Sequence, residues 1–531
     1  MNTSRIVRYK NRLRGAWLLL LSFAAPLLSR AEFELIEATI ADAHRAFRSG
    51  ELTAKELTQM YLDRIEAYDQ KGPAINCVIS INPDALEDAE ALDAAFAKDG
   101  FVGPLHGIPV LVKDEIDVAD MATTLGTLVF KDYVTPKDAF VIEKLRQAGA
   151  IILGKTTLSE YAGGDTYGSF FGASLNPYDL TRTVGGSSGG SGGAMAANFA
   201  MISLGEETYA SIRRPSTWNG VVGLRPTPGL VSRTGMWDGY PTVAAQMGPM
   251  CRTVEDTAKL LDVMVGYDPE DPSTAWGIGR APKSYTDALE KEGLVGARVG
   301  VIRESIGGRS DPSSDDFKIV QKEYDRAVDE LKAAGAIVID DLKIPELKEL
   351  MSLRSDDRWL NEEALRIYLA RNPDSPIKTH QDIGNSPYID QSIPPRKGER
   401  WTSPPRETDY QAAIEGNRAR QELLTRILAV MAEHDLDAIV HNSVEHQPSL
   451  VKDGFNPPYV SGKGVPSINT NVRMLSAITV PSGFTSMGLP TGITFLGRPY
   501  DEATILKLAY SYEQSFPHRK SPETTPPLSD S

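Results

Sequence analysis

Gly185-Gly186-Ser187-Ser188-Gly189-Gly190-Ser191-Gly192-Gly193 runs without a break into Ala194-Met195-Ala196-Ala197, a good helix former. The backbone N–H groups of such a loop, at the start of a helix, make a ready site for an anion or a developing oxyanion. A phosphate loop needs lysine and Ser/Thr at fixed offsets, and a dinucleotide fingerprint needs its own glycine spacing; neither is present. As a flexible linker the stretch is too short, and its neighbours read as ordered strands and helices. A third reading takes Gly186-Ser187-Ser188-Gly189-Gly190 as G-x-S-x-G, the nucleophile elbow of α/β-hydrolases, with Ser188 as nucleophile. It needs an acid and a histidine downstream, and His380, His434, His441, His446 and His518 stand in no recognisable motif.

Outward from the glycines, the chain alternates strand-like and helical segments. Ile108 to Val112 is a short apolar run ending at Lys113-Asp114, which predicts a buried strand with Lys113 at its C-terminal end. Similar runs lie at Ile151-Leu153, Ala297-Ile302, Ala336-Ile339, Ala438-Val440, Ile478-Val480 and Ile493-Leu496. Leu57, Met60, Tyr61, Ile65 and Tyr68 share one helical face behind a capping box of Thr53 and Glu56. Asn82-Pro83 and Gly100 bracket a second helix, and Asp316 to Ala334 reads as a third. This alternation predicts an α/β layer architecture. Between about 345 and 466 the pattern weakens, with charges and Pro394, Pro404 and Pro405 crowding in, so a partly helical excursion covering or bordering a site is expected there.

Position alone favours Lys113 as a surface lysine paired with Asp114 over a base, and a glycine-loop serine such as Ser187 commonly bonds its own backbone. A wider set of residues resembles the amidase signature family. Leu111-Val112-Lys113-Asp114, Thr123-Thr124-x-Gly126, Ala148-Gly149-Ala150 and Gly154-Lys155-Thr156 are similar to its N-terminal blocks. Asn176-Pro177, Arg182 and Gly185 to Ser191 resemble its Gly/Ser signature. Ser211-Ile212-Arg213-x-Pro215, Gly220 and Gly223-Leu224-x-Pro226-Thr227 resemble the nucleophile segment. Val480-Pro481-x-Gly483-Phe484, Gly488-Leu489-Pro490-x-Gly492 and Glu513-Gln514 extend the likeness toward the C-terminus. The resemblance covers roughly residues 35 to 515. It implies a single large α/β domain over 32–531, with a mixed central β-sheet between helical layers. It also implies amide hydrolysis through an acyl-enzyme, with Ser211 as nucleophile, Ser187 as proton relay after a cis peptide bond, and Lys113 as base. Ser188 and Ser191 are expected to support the loop. A lysine acts as a base only if its pKa of ~10.4 is lowered, and Lys113, at the end of an apolar run, is expected to be lowered by desolvation. No cofactor and no metal are required; His441, Glu445 and His446 match no zinc spacing.

The segment before Ser211 departs from the family pattern. Many members carry an aspartate at the position of Glu207 and glycines at those of Tyr209 and Ala210. Backbone N–H groups of Thr208, Tyr209, Ala210 and Ser211 are the expected oxyanion hole. If either former glycine needed positive φ, a side chain there would be strained. Tyr209 is expected either packed under the loop or forming a pocket wall, and Trp237, Met247 and Met250 are candidates for core or wall. Glu207, with Asn219 to Arg233, resembles a peptide amidase-like subgroup, which implies C-terminal peptide amides or other small carboxamides as substrates. An amidotransferase-type subunit shares the signature, and a silent amide-binding protein is the non-enzymatic alternative.

The balance of 71 acidic against 56 basic residues argues against nucleic acid as a partner. Arg5, Arg8, Lys10, Arg12 and Arg14 precede the apolar Ala16 to Leu28 and the small-residue site Ser29-Arg30-Ala31, a signal-peptide pattern over 1–31 that predicts a periplasmic or secreted protein. The apolar run is shorter than the ~20 residues of a spanning helix, and no stable membrane span is expected. Cys77 and Cys251 are the only cysteines. They are expected as two buried thiols or one disulfide. Oligomeric state is not encoded legibly.

Overall fold

The computed structural model describes residues 33–528 apart from 238, 243, 354–357, 394–409, 467 and 469–472. The leader expected at 1–31 and Pro394, Pro404 and Pro405 therefore lie outside the described residues. One mixed sheet of eleven strands organises the chain. In chain order these are β1 Val78–Ile81, β2 Pro109–Lys113, β3 Ile151–Thr156, β4 Ile202–Glu207, β5 Val222–Arg225, β6 Gln246–Cys251, β7 Arg298–Val301, β8 Ile337–Ile339, β9 Ala438–Asn442, β10 Ala477–Phe484 and β11 Pro490–Leu496. Their spatial order is β1-β3-β2-β4-β6-β5-β10-β11-β9-β7-β8. The β3-β2-β4 and β9-β7-β8 groups are parallel and the other pairings antiparallel. Helices flank the sheet, so the expected α/β architecture is the one observed.

Local signals account for much of this. Thr39 and Thr53 form capping boxes for α1 (Ile40–Ser49) and α2 (Ala54–Arg64), and Gly100 ends α3 (Ala85–Asp99). The face expected to run on through Tyr68 does so as a π-helical turn over Ile65–Gln70. α4 spans Phe140–Gln147. The glycine stretch is itself helical: α5 is Gly189–Ala196, every residue of it buried, starting earlier than Ala194. Glycine is a poor helix former. Close packing wins here, because a Cβ at Gly190 would collide with the carbonyl oxygens of Thr157 and Cys77.

The main core lies along the sheet and includes Val110, Leu111, Ile152, Ile202, Leu204, Met247 and Phe495. Met247 and Met250 on β6 are fully buried. Cys77 and Cys251 are separate buried thiols. Arg64, 1% exposed, fastens distant segments together. It donates to the carbonyls of Ala197 and Asn198, just beyond α5, and to those of Thr525 and Pro526 near the end of the chain. The 345–466 region carries helices at Arg358–Arg371 and Tyr410–Glu433 and then returns to the sheet as β9, so it is not wholly an excursion. Among the described residues no helix is long and apolar enough to cross a membrane.

Candidate active site

β2 and β4 are parallel neighbours, and their C-terminal ends open where the loops before α5 and after β4 converge. That is the usual place for a site in an α/β sheet. Lys113 closes β2 and is fully buried. Its Nζ donates to Ser187 Oγ at 2.7 Å. Nζ also donates to Glu206 Oε2 at 2.9 Å, while Glu115 Oε1 lies 2.7 Å away. Burial by itself would lower the Lys113 pKa, but the charges of Glu115 and Glu206 outweigh it and raise the pKa above the ordinary lysine value. The expected depression is therefore overturned: desolvation acts as anticipated, but two carboxylates lie beside the amine. Burial drives Glu115 well above the usual glutamate range, and the charge of Glu206 adds to this against the pull of Lys113. Glu206, equally desolvated, is held low by Lys113. The sequence signal for this pair is the Lys113-Asp114-Glu115 triplet after an apolar run and the Glu206-Glu207 doublet that ends β4.

Ser187 is 1% exposed and follows a cis peptide bond from Gly186. Ser188 turns away: its Oγ donates to the Glu206 carbonyl at 3.0 Å and accepts the Glu206 N–H at 3.1 Å. Ser191 Oγ donates to the Leu204 carbonyl at 2.8 Å. Both support the loop, as expected. Of the five histidines open to the nucleophile-elbow reading, four have side chains engaged elsewhere: His380 with Glu362, His441 with the Asn442 carbonyl, His446 with Asp316 and His518 with Glu330. Glu445 takes the N–H groups of Ile306 and Gly307 at 2.7 and 3.0 Å and shapes that loop.

Ser211 is 8% exposed, and its carbonyl accepts the Ser188 N–H at 3.1 Å, which seats the Ser211 loop against the glycine loop. Behind it Glu207 acts as a buried anchor. Its Oε2 accepts the N–H groups of Ile212 and Arg213 at 3.2 and 3.0 Å, and its Oε1 accepts Arg213 Nε at 2.9 Å. These bonds fix the start of α6 (Arg213–Trp218). Arg213 Nη2 donates to the Tyr209 carbonyl at 3.0 Å, and the Arg214 N–H to the Ala210 carbonyl at 2.9 Å. In a planar trans peptide the N–H points opposite to the C=O, so the N–H groups of Ala210 and Ser211 face away from these anchors. None of Thr208, Tyr209 and Ala210 has positive φ, so the departures from glycine are accommodated by ordinary backbone. Tyr209 is 48% exposed, which removes the packed-under reading.

The 345–466 region borders the site. Asp117, just past β2, accepts from Tyr368 Oη at 2.9 Å and Asn372 Nδ2 at 3.1 Å. Trp237 belongs to an aromatic cluster with Phe130, Tyr161 and Tyr368, and its main-chain N–H donates to the Glu115 carbonyl at 3.2 Å. Trp237 is thus packed in that cluster and tied by its main chain to the segment after Lys113, whereas Met247 and Met250 are core. Among the described residues no group of three or more His, Cys, Asp or Glu is arranged to hold a metal ion.

Comparison with known proteins places this arrangement in a family. The family model described as Amidase matches residues 56–506. A peptide amidase from Stenotrophomonas maltophilia superimposes with a TM-score of 0.82 at 33% identity, covering 93% of this chain and 99% of that one. A probable amidase of Arabidopsis thaliana is 32% identical over 94% of both chains. A glutamyl-tRNA(Gln) amidotransferase subunit from Symbiobacterium thermophilum is 33% identical, over 91% of this chain and 97% of that one. A sheet of this order, a glycine-built helix packed into it, and family likeness over almost the whole described chain lead to one statement: the chain belongs to the amidase family.

Proposed function

We propose that this chain hydrolyses the C-terminal carboxamides of peptides, with Ser211 as nucleophile, Ser187 as proton relay and Lys113 as the terminal proton acceptor. The observation that carries the reading is the 2.7 Å hydrogen bond from buried Lys113 Nζ to Ser187 Oγ. A serine hydroxyl attacks only when a base takes its proton, and a lysine can be that base only from its amine form. Ser211 Oγ bonds to the carboxamide carbon while its proton moves to Ser187 and that of Ser187 to Nζ. The N–H groups of Ala210 and Ser211, turned away from the anchored carbonyls of Tyr209 and Ala210, receive the oxyanion in this reading. On collapse the carboxamide nitrogen takes the proton back and leaves as ammonia, and water then hydrolyses the ester. The peptide preference draws on the likeness to the S. maltophilia peptide amidase. The test is kcat/KM across matched peptide amides, aryl amides and long-chain fatty amides; a preference for the fatty amides would remove the substrate class. The similarity to the amidotransferase chain favours a second reading, a component of a transamidation complex. Turnover of a peptide amide by the purified chain alone decides against it. The leader pattern supports export, tested by the N-terminus of protein recovered from the native envelope or medium: a start near Glu32 agrees, and an intact Met1 disagrees.

A further inference from the structure

We propose that the base of this enzyme is composite: Lys113 accepts the Ser187 proton only after passing one of its own to the buried carboxylate pair Glu115 and Glu206, which holds it inside the site. This rests on the assignment of Lys113, Ser187 and Ser211 given above.

The side chains of Lys113, Glu115 and Glu206 are 0%, 2% and 3% exposed, and both carboxylates lie within 2.9 Å of Nζ. One ammonium faces two carboxylates in a space closed to water, and such a group is electrically neutral only when one carboxyl is protonated. The other charges nearby are committed. On the neighbouring strands, Glu207 takes Arg213 at 2.9 Å and faces Arg225 at 3.7 Å. Asp114 takes Lys155 of β3 at 3.0 Å. Glu206 is fixed from its other side, where Thr208 Oγ1 donates to Oε1 at 2.7 Å, which leaves Oε2 aimed at Nζ. The resting group is therefore Lys113 ammonium, Glu206 carboxylate and Glu115 carboxyl.

An ammonium has no lone pair for the Ser187 proton. Transfer of one Nζ proton to Glu206 Oε2 breaks an N–H bond, forms an O–H bond and converts an ion pair into a neutral amine and acid without moving net charge. Nζ then takes the Ser187 proton, Ser187 Oγ takes that of Ser211, and the Ser211 Oγ–C bond forms as the carbonyl electron pair moves onto oxygen. The group now carries one extra proton and the oxyanion one negative charge. On collapse the proton returns through Ser187 to the departing nitrogen. Glu115 and Glu206 touch no reacting atom and act through Lys113; they are positioning residues that set its proton count. Thr208 links Glu206 to the segment carrying the oxyanion donors.

The experiment uses the full chain and the rate of fluorophosphonate labelling at Ser211 as a function of pH. In Glu115→Gln/Glu206→Gln nothing holds the ammonium against burial, so the ascending limb should move down by about one pH unit or more. A limb that stays in place, with the label on Ser211, overturns the composite base alone. A label on another residue overturns it together with the underlying assignment. Wild-type chain carrying 15Nζ-lysine gives a readout independent of the variant's folding: the resonance lost in Lys113→Ala should be that of an ammonium at neutral pH. An amine there overturns the proposal.

Discussion

Arg214 Nε donates to the carbonyl oxygen of Gly186 at 2.8 Å, so the helix that starts just after Ser211 grips the peptide just before Ser187. The same guanidinium reaches the Gly164 carbonyl at 2.5 Å and Asp165 at 3.0 Å. Two loops brought together by the fold are thereby held in one register. Arg214→Lys keeps the charge but loses the planar fork. It should lower kcat by about 10²-fold with a smaller change in KM, the cost of misplacing a group by about 1 Å. Arg214→Ala strands Asp165 without its partner and should cost about 3–5 kcal/mol of stability in urea unfolding.

The serines should separate cleanly under substitution. Ser211→Ala should abolish covalent labelling and lower kcat by about 10³-fold or more. Ser187→Ala and Lys113→Ala should be severe yet leave the remaining label on Ser211. Ser188→Ala should be milder, because its hydroxyl only braces the Glu206 backbone. Peptide mapping of the acylated residue is the check, and a label on Ser188 would restore the nucleophile-elbow reading.

Glu207 should matter for folding as much as for rate. Its two oxygens accept from Ile212, Arg213 N–H and Arg213 Nε, and it is fully buried. Glu207→Gln removes the negative charge facing the Arg213 and Arg225 guanidiniums and turns an amide donor toward other donors. Loss of one partner from such a buried group costs about 3–5 kcal/mol, readable as a lower denaturation midpoint.

Asp117 gives a pH signature. Burial pushes its carboxyl from 3.8 up to about 6, against the hydrogen bonds of Asn372, Tyr368 and Thr123 and the charge of Lys155. A folded-state pKa above the unfolded one means that the stability contributed is fully present below the unfolded value and is lost as pH rises through the folded value. Between these pH values wild type should lose on the order of 3 kcal/mol relative to Asp117→Asn, whatever the offset between the two at low pH. Urea midpoints of both proteins across that window test it; parallel curves would contradict the shift.

The parts of this molecule legible from sequence are those with strong local signals. Lys113 at the end of β2 follows from an apolar run stopping at a charge, and the capping boxes of α1 and α2 are short-range hydrogen bonds. Strands β1, β4, β5 and β6 carry no such signal, for a physical reason. β6 contains Gly248 and Pro249, and β4 interleaves Ser203 and Gly205 with its aliphatics, so neither alternates nor runs apolar. The identity of β4 and β6 comes from their pairing with each other inside the sheet. The Lys113 pKa runs against the sequence-based expectation because desolvation is a property of one residue, whereas the opposing effect needs Glu115, two residues on, and Glu206, from a strand distant in sequence, both folded against Nζ.

The clasp at Arg64 makes the site depend on a segment far from it along the chain. Its guanidinium joins the turn after the glycine helix to the carbonyls of Thr525 and Pro526. Arg64 is 461 and 462 residues from Thr525 and Pro526 in sequence. Without that distant segment the buried arginine lacks half its acceptors, and the helix that follows Ser187 is unsecured at its far end. A chain cut between α6 and Thr525 would therefore keep Lys113, Ser187 and Ser211 yet be slack at the site.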